Sequence, residues 1–338
     1  MICITGGGTG GHLAIARALA NELNLRGIKC IFIGSQKGQD KAWFEGSQLF
    51  SKTYFLPSSG VVDKKGFKKI LSFLNILKLI KRCHKIFKEN EINAVISVGG
   101  YSSASASMAS VLFFKPLFLH EQNARIGRLN ALLKPFAKGF FSSYFEPKCD
   151  YPVSKEFFSG ARIRKELRQI LFLGGSQGAS FINSLALELA PHLNEMGVKI
   201  SHQSGAKEFE KIRAEYENLG IKADVFAFSN DMANLMNKAD ICISRAGASS
   251  LWELCANALP CVFIPYAHAA SDHQYYNAKF LSDLGLCVLK RQNEIEAKSM
   301  LEILKNMNLE QISQGLKGQI SSGGASKIID FVLENIKK

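Results

Sequence analysis

Residues 170–178, Ile-Leu-Phe-Leu-Gly-Gly-Ser-Gln-Gly, are four apolar residues running into a glycine loop, and they repeat the layout of residues 2–12, Ile-Cys-Ile-Thr-Gly-Gly-Gly-Thr-Gly-Gly-His. Each reads as a buried strand, a tight turn that glycine permits, and the start of a helix. Two such beginnings in 338 residues imply two βα domains. On either side, short apolar runs at 30–33, 94–98 and 117–120 alternate with longer amphipathic stretches, as in parallel sheets flanked by helices. The alternation lapses across residues 146–164 (EPKCDYPVSKEFFSGARIR), where proline, glycine and charge replace it. The expected architecture is α/β: two Rossmann-like domains with parallel sheets facing a central cleft, divided at 158/159.

Apolar residues make up 47% of the chain and charged residues 21%, a composition that supplies two cores and excludes disorder. No apolar run reaches the roughly 18 residues of a membrane span, and the first strand follows Met1 directly, which argues against a secretory leader. The eight cysteines, at 3, 30, 83, 149, 242, 255, 261 and 287, form no C-x-x-C, so buried thiols are expected rather than disulfides or zinc. The net charge of +13 is lopsided: residues 1–158 hold 22 Lys/Arg against 10 Asp/Glu, the rest 20 against 19. A basic half can meet nucleic acid, an anionic membrane or an acidic substrate.

A third glycine loop, Val98-Gly-Gly-Tyr-Ser-Ser103, also follows a strand and precedes a helix of small residues. Glycine allows close backbone approach, and a helix N-terminus favours an anion, so the three loops together suit phosphate-bearing ligands. The Gly6-x-Gly8-x-x-Gly11 spacing matches a dinucleotide fingerprint, but the second strand runs into Gly34-Ser35-Gln36, without the acid that would hold a nicotinamide ribose. No G-x-x-x-x-G-K-[ST] occurs, and no D-x-D to carry a metal-bound nucleotide sugar. What is left is a site of helix dipoles, backbone amides and arginine. The second half supplies partners for it: residues 239–253 read as a strand, an Arg-Gly loop and a helix, so that Arg245 can pair with phosphate and Glu253 can accept from both hydroxyls of a ribose. Asp272-His-Gln-Tyr-Tyr-Asn277 follows the next strand with polar groups suited to a sugar.

Taken in order, GGGTGGH (6–12), GGY (99–101), HEQN (120–123), GGSQGA (174–179), SRAGASSLWE (244–253) and HQYYNA (273–278) resemble the MurG family of bacterial transferases across essentially the whole chain. The resemblance implies a GT-B fold: an acceptor- and membrane-binding domain at 1–158, a UDP-N-acetylglucosamine-binding domain at 159–324, and a final helix at 325–338 that packs back on the first. It implies metal-independent, inverting transfer of N-acetylglucosamine to the C4 hydroxyl of a polyprenyl-linked muramyl-pentapeptide at the cytoplasmic face of the bacterial membrane, with no cofactor. Cell-wall or division proteins are further partners that it allows.

By matching positions, Arg164, Ser176, Gln177, Ser229, Arg245, Glu253 and Gln274 would hold the donor, while Thr9, Gly10, Gly11, His12, Tyr101, His120 and Asn123 would face the acceptor. His12 is the favoured base, with acceptor-diphosphate positioning as its other reading, and Glu121 is the runner-up base. Two positions depart from the family: Gly160-Ala-Arg-Ile-Arg164 stands where Gly-Asn-Pro-Val-Arg is usual, and His273 precedes Gln274 where some members have Gln-Gln. The competing readings are another lipid-acceptor transferase of the same family, a UDP-N-acetylglucosamine 2-epimerase, and a nucleic-acid-binding module, which would leave the glycine loops idle.

Residues 64–88 carry nine Lys/Arg and no acid. Wound as a helix, Phe73, Ile76, Leu77, Ile80, Cys83 and Phe87 make a core face, leaving Leu71, Leu79 and Ile86 among lysines that include Lys78, Lys81 and Lys85. Apolar residues in a ring of lysine suit an anionic membrane surface better than nucleic acid; an ordinary solvated lysine face is the alternative.

Overall fold

The computed structural model describes residues 1–58, 67–175 and 178–336, with side chains from residue 75 onward in the helix Phe67–Glu89. The chain divides into two compact units, residues 1–153 with 323–338, and residues 154–322. The first holds the strands β1 (Ile2–Thr5), β2 (Cys30–Ser35), β3 (Lys52–Leu56), β4 (Ala94–Ser97), β5 (Leu117–Glu121) and β6 (Gly139–Ser142), in the order β3-β2-β1-β4-β5-β6. The second holds β7 (Gln169–Leu173), β8 (Lys199–Gln203), β9 (Ala223–Phe226), β10 (Ile241–Ser244), β11 (Cys261–Phe263) and β12 (Val288–Leu289), in the order β12-β11-β10-β7-β8-β9. Every pairing is parallel. Both sheets thus start at their centre, run to one edge, return and run to the other, which is the doubly wound order. Burial on both faces explains why β1, β2, β4, β5 and β7 read as unbroken apolar runs rather than alternating ones.

The division at 153/154 falls ahead of the expected 158/159. The short helix Lys155–Ser159 stays with the second unit because Phe157 is buried there and its carbonyl accepts from the Asn257 amide at 3.2 Å. The helix Gly324–Ile336 belongs to the first unit: Ile328, Ile329 and Val332 are fully buried, and the Phe331 ring meets Phe141 edge-on at 5.4 Å. Arg26 donates to Ser326 Oγ at 2.7 Å and pairs with Asp330, and Lys327 pairs with Asp150 at 2.6 Å.

One expectation about the helix Phe67–Glu89 is overturned. Leu79 and Ile86 are 3% and 4% exposed and belong to the core with Ile80, Cys83 and Phe87, packed on Ile31, Ile33 and Val95. At about 100° per residue, Leu79 and Ile86 lie within about 60° of Cys83, inside the stripe, while Leu77 lies about 120° away, beside the lysines. Leu77 is accordingly 41% exposed, on the side where Lys78, Lys81, Arg82, Lys85 and Lys88 are exposed. The Leu71 side chain lies outside the described residues.

Candidate active site

In a doubly wound sheet the ligand edge lies at the carboxyl ends of the two central strands, where the chain turns off in opposite directions. In the first unit those strands are β1 and β4, and two of the three glycine loops leave from them. The loops interlock: Gly7 N donates to Gly99 O at 3.1 Å, and a Cβ on Gly100, whose φ is +80°, would fall on the Gly7 carbonyl. Asp40 fastens them from below. Its carboxylate is fully buried and accepts from the backbone amides of Gly8 and Ser35. Burial raises its pKa in spite of those hydrogen bonds. The acid missing from the end of β2 is therefore present five residues later, turned toward the loop.

The helix Gly10–Leu25 starts directly after this loop, with Gly10, Gly11 and His12 as its first three residues. Thr9 stands at its N-cap in extended geometry but makes no capping hydrogen bond; its hydroxyl lies 3.0 Å from His12 Nδ1. The Gln122 amide nitrogen lies 2.9 Å from His12 Nε2 and 3.3 Å from Nδ1, so it sits over the imidazole rather than in line with either ring nitrogen. Tyr101 lies against the first loop, where a Cβ on Gly8 would touch its ring, so Thr9, Gly10, Gly11, His12 and Tyr101 do gather at one edge.

His120, expected to face the acceptor, and Glu121, the runner-up base, end β5, and both are buried there. His120 is 1% exposed, and burial, with a smaller contribution from His12, lowers its pKa to about 3. Its ring packs edge-on against Tyr151 at 5.5 Å. Glu121 is 3% exposed, and its two oxygens accept from Asn123 N at 3.0 Å, Gly127 N at 2.9 Å and Asn130 Nδ2 at 2.9 Å. That carboxylate organises the loop after β5, holding the Asn123 backbone, and three donors already occupy its two oxygens. Tyr151, Asn130 and Asp40 carry no signal in the sequence, and Gln122 enters it only as one letter of the HEQN motif.

In the second unit the central strands are β7 and β10. The loop after β7 passes close to the end of β8: a Cβ on Gly178, at φ +78°, would sit 2.7 Å from Ser204 O. Ser176 and Gln177 lie outside the described residues. Arg245 immediately follows β10, and its Nη1 donates to Ile264 O at 3.0 Å, Pro265 O at 3.1 Å and Gln292 Oε1 at 3.0 Å, which fixes the guanidinium at the strand edge. Phe181 and Tyr266 flank it, with ring centroids 6.0 and 5.6 Å from Cζ. Partial burial lowers its pKa from the ordinary arginine value. Glu253 is half-buried on the helix Ala248–Ala256, which begins directly after the Arg245 loop. Gln274 opens the helix His273–Asp283, where its Oε1 accepts from Tyr266 N at 2.9 Å, and the Ser229 hydroxyl accepts from Asp231 N at 3.0 Å in the loop after β9. With Glu253 in the second turn of the helix that leaves β10, Arg245, Gln274 and Ser229 stand in segments that follow the carboxyl ends of β10, β11 and β9.

Arg164 does not. Its side chain is fully buried at the opposite edge, where its guanidinium donates to the carbonyls of Ala239, Arg162, Asn257 and Met236 and to Asn257 Oδ1. Ala239 precedes β10, so this is the amino end of the sheet. The expected role in donor binding is corrected: an arginine with five hydrogen bonds to its own unit is a frame residue.

A buried polar chain supports the helix that follows the glycine loop after β7. His202 on β8 is within 3.1 Å of Tyr216 Oη through Nδ1 and 3.0 Å of Asn183 Oδ1 through Nε2; Asn183 and Ser180, on the helix Ser180–Glu195, both donate to Glu208. Burial, partly offset by Glu208, lowers the His202 pKa to about 4. The unfolded ring titrates near 6.5, so between about pH 6.5 and 4 the unfolded chain binds more protons and stability falls as pH falls. The slope from this group is at most about 1.4 kcal/mol per pH unit. Denaturant midpoints measured across that interval should drop steadily in the wild type and more shallowly in His202→Gln.

The glycosyltransferase family 28 N-terminal domain model matches residues 2–142, and the family 28 C-terminal domain model matches residues 169–332. The chain belongs to glycosyltransferase family 28, MurG type. This family 28 transferase is 57% identical over 334 residues to the UDP-N-acetylglucosamine–N-acetylmuramyl-(pentapeptide) pyrophosphoryl-undecaprenol N-acetylglucosamine transferase of Campylobacter fetus subsp. fetus, covering 99% of this chain and 100% of the relative. It is 53% identical to the like-named enzyme of Campylobacter jejuni (strain RM1221), over 98% of this chain and 97% of that one. Among solved structures, the crystal structure of Acinetobacter baumannii MurG superimposes with a TM-score of 0.80 at 24% identity, over 98% of this chain and 99% of that one. The family 28 transferase has the two-domain GT-B fold expected from its sequence.

Proposed function

We propose that this chain transfers N-acetylglucosamine from UDP-N-acetylglucosamine to the C4 hydroxyl of a polyprenyl-linked muramyl-pentapeptide, in one inverting displacement. The observation that carries the reading is its 57% identity, end to end, with an enzyme of that name. The chemistry of each unit supports it. On the first, His12 at the end of an interlocked glycine loop supplies a base for the hydroxyl, and the helix N-terminus behind it suits the acceptor diphosphate. On the second, Arg245 and the N-terminus of the helix Ser180–Glu195 stabilise the departing UDP, with Glu253 on the ribose, the backbone near Ser229 on the uracil and Gln274 on the sugar. Ser176 and Gln177, by their motif, join the diphosphate. The direct test is UDP release from UDP-N-acetylglucosamine with and without the lipid-linked muramyl-pentapeptide. Release that needs the acceptor supports transfer; release of UDP with free 2-epimerised sugar in its absence would favour an epimerase.

The acceptor's lipid tail requires a bilayer-facing surface, and no helix among the described residues is long and apolar enough to cross a membrane. The reading places peripheral docking on the exposed side of the helix Phe67–Glu89, through Lys78, Lys81 and Lys85, with Leu77 as the apolar contact in place of Leu79 and Ile86. The helix Ala104–Leu112 packs beside it, His84 stacking on Phe113 at 3.5 Å; Leu112 at its end and Phe114 just beyond are 53% and 93% exposed. Each lysine near an anionic leaflet contributes about 1 kcal/mol, screened within about 8 Å at physiological salt. Lys78→Glu, Lys81→Glu and Lys85→Glu together should abolish sedimentation with anionic vesicles, whereas Leu77→Ser with Phe114→Ser should leave binding that salt fully reverses. Charge-reversed protein that still sediments would reduce this helix to a solvated face.

A further inference from the structure

We propose that Asp40 is a positioning residue for the acceptor: through the amides of Gly8 and Ser35 its carboxylate sets the backbone of the first glycine loop, and with it the start of the helix that carries His12. The inference rests on the reading of that loop and helix as the acceptor's site.

The carboxylate is seated among glycines. Its Oδ1 accepts from Gly8 N, and its Oδ2 accepts from Ser35 N at 2.7 Å. A backbone amide only donates, so both oxygens have to accept, as a carboxylate does and a side-chain amide cannot. A Cβ on Gly7 would come within 2.7 Å of all three carboxylate atoms, and one on Gly34 would lie 2.8 Å from Oδ2. Gly7 and Gly8 hold φ values of +149° and +88°, which glycine reaches without strain and also leaves without strain. The loop therefore needs a partner outside itself to keep one shape, and Asp40, the first residue of the helix Asp40–Phe44, supplies it from across the end of β2.

The hold is passed on along two short paths. Thr9, the N-cap of the helix Gly10–Leu25, directly follows Gly8, so a shift of Gly8 carries the first turn and His12 with it. Gly7 N donates to Gly99 O at 3.1 Å, and Gly99 lies against the imidazole, where a Cβ would stand 3.2 Å from both Cδ2 and Nε2 of His12. Asp40 is fully buried and touches no substrate. A negative charge near an anion site also opposes the ligand, so what Asp40 contributes is the conformation of the loop rather than its charge. Misplacing a reacting group by about 1 Å can cost about 10²-fold in rate.

The test is Asp40→Asn in the full chain, which keeps the shape of the side chain but turns a donor toward one of the two amides. With the lipid-linked muramyl-pentapeptide as varied substrate, kcat/KM should fall about 10- to 100-fold, while KM for UDP-N-acetylglucosamine stays within about twofold. In 15N-resolved spectra of the free protein, the Gly8 and Ser35 amide protons should lie downfield in the wild type, as amides bonded to a carboxylate do, and at least one should return upfield in the variant. Acceptor kcat/KM within twofold of wild type would overturn the proposal. A lower acceptor KM would do so as well, by showing that the charge outweighs the placement, and so would a loss shared equally by donor and acceptor, which marks a general loosening. If the variant does not fold, the wild-type spectrum decides: downfield Gly8 and Ser35 amides that shift on addition of the acceptor but not of UDP-N-acetylglucosamine support the role, and amides at ordinary positions refute it. Wild-type protein that releases no UDP with the acceptor would instead sink the functional reading, and this role with it.

Discussion

His12→Ala is expected to lower turnover by about 10²–10⁴ while leaving UDP-N-acetylglucosamine affinity within about threefold. The asymmetry follows from where the groups sit. His12 is the third residue of a helix on the first unit, and the groups assigned to the donor, Arg245, Glu253 and Gln274, belong to the second. On the proposed reading, removing the imidazole takes away a proton acceptor at the hydroxyl and nothing that touches the nucleotide. Calorimetry on the donor and steady-state turnover with the lipid-linked acceptor separate the two effects. Turnover that survives within a few-fold would move the base elsewhere. Glu121 is a poor substitute, because Asn123, Gly127 and Asn130 already donate to its oxygens.

Arg164→Met should destabilise the second unit by about 3–5 kcal/mol, the usual consequence of removing one side of a buried charged network. The substitution takes the arginine donor from the buried carbonyls of Met236 and Asn257, while Ala239 O keeps the Arg162 Nη2 donor at 3.0 Å. Each such bond to a charged group is worth about 1.5–3 kcal/mol, and the five do not add, because all fail together. Arg162 does not take over: it is occupied with Asp240 at 2.6 Å, whose other oxygen holds Arg168 N and Gln169 N. Denaturant unfolding followed on Trp252, with Trp43→Phe to silence the first unit, reads the loss directly. Donor affinity of the protein that remains folded should stay within about threefold. An unchanged unfolding midpoint with a tenfold or greater loss of affinity would return Arg164 to the diphosphate.

Both sheets were legible because their central strands are buried on two faces, so composition alone marks them, and because glycine loops follow three of the four. The positions of Arg245 and Glu253 were legible for a related reason: they follow a strand end at short distances in the chain, and the strand end places them. Arg164 misled because a motif position carries no sign of which edge of the sheet it occupies. It precedes β7, and what precedes a strand lies at the amino edge. The lysine helix misled by geometry: its apolar stripe is about 120° wide, so a projection rotated by about 60° swaps Leu79 and Ile86 for Leu77. Asp40, Gln122 and Tyr151 were illegible because their partners are remote in sequence. Asp40 reaches back 32 residues to Gly8, and Gln122 reaches 110 to His12 and 29 forward to Tyr151.

The helix Gly324–Ile336 also has a bearing on how the chain matures. Residues 154–322 are inserted within the first unit, which is closed by a helix synthesised after them. Domains generally fold as units while the chain emerges. As residues 1–153 emerge, Phe118 and Phe141 lack the Phe331 ring that covers them, and Arg26 and Asp150 lack Asp330 and Lys327. The second unit can close as soon as residue 322 is out. The half of the molecule made first is therefore finished last, and its incomplete surface is open to chaperones or premature association for as long as the inserted half takes to be translated.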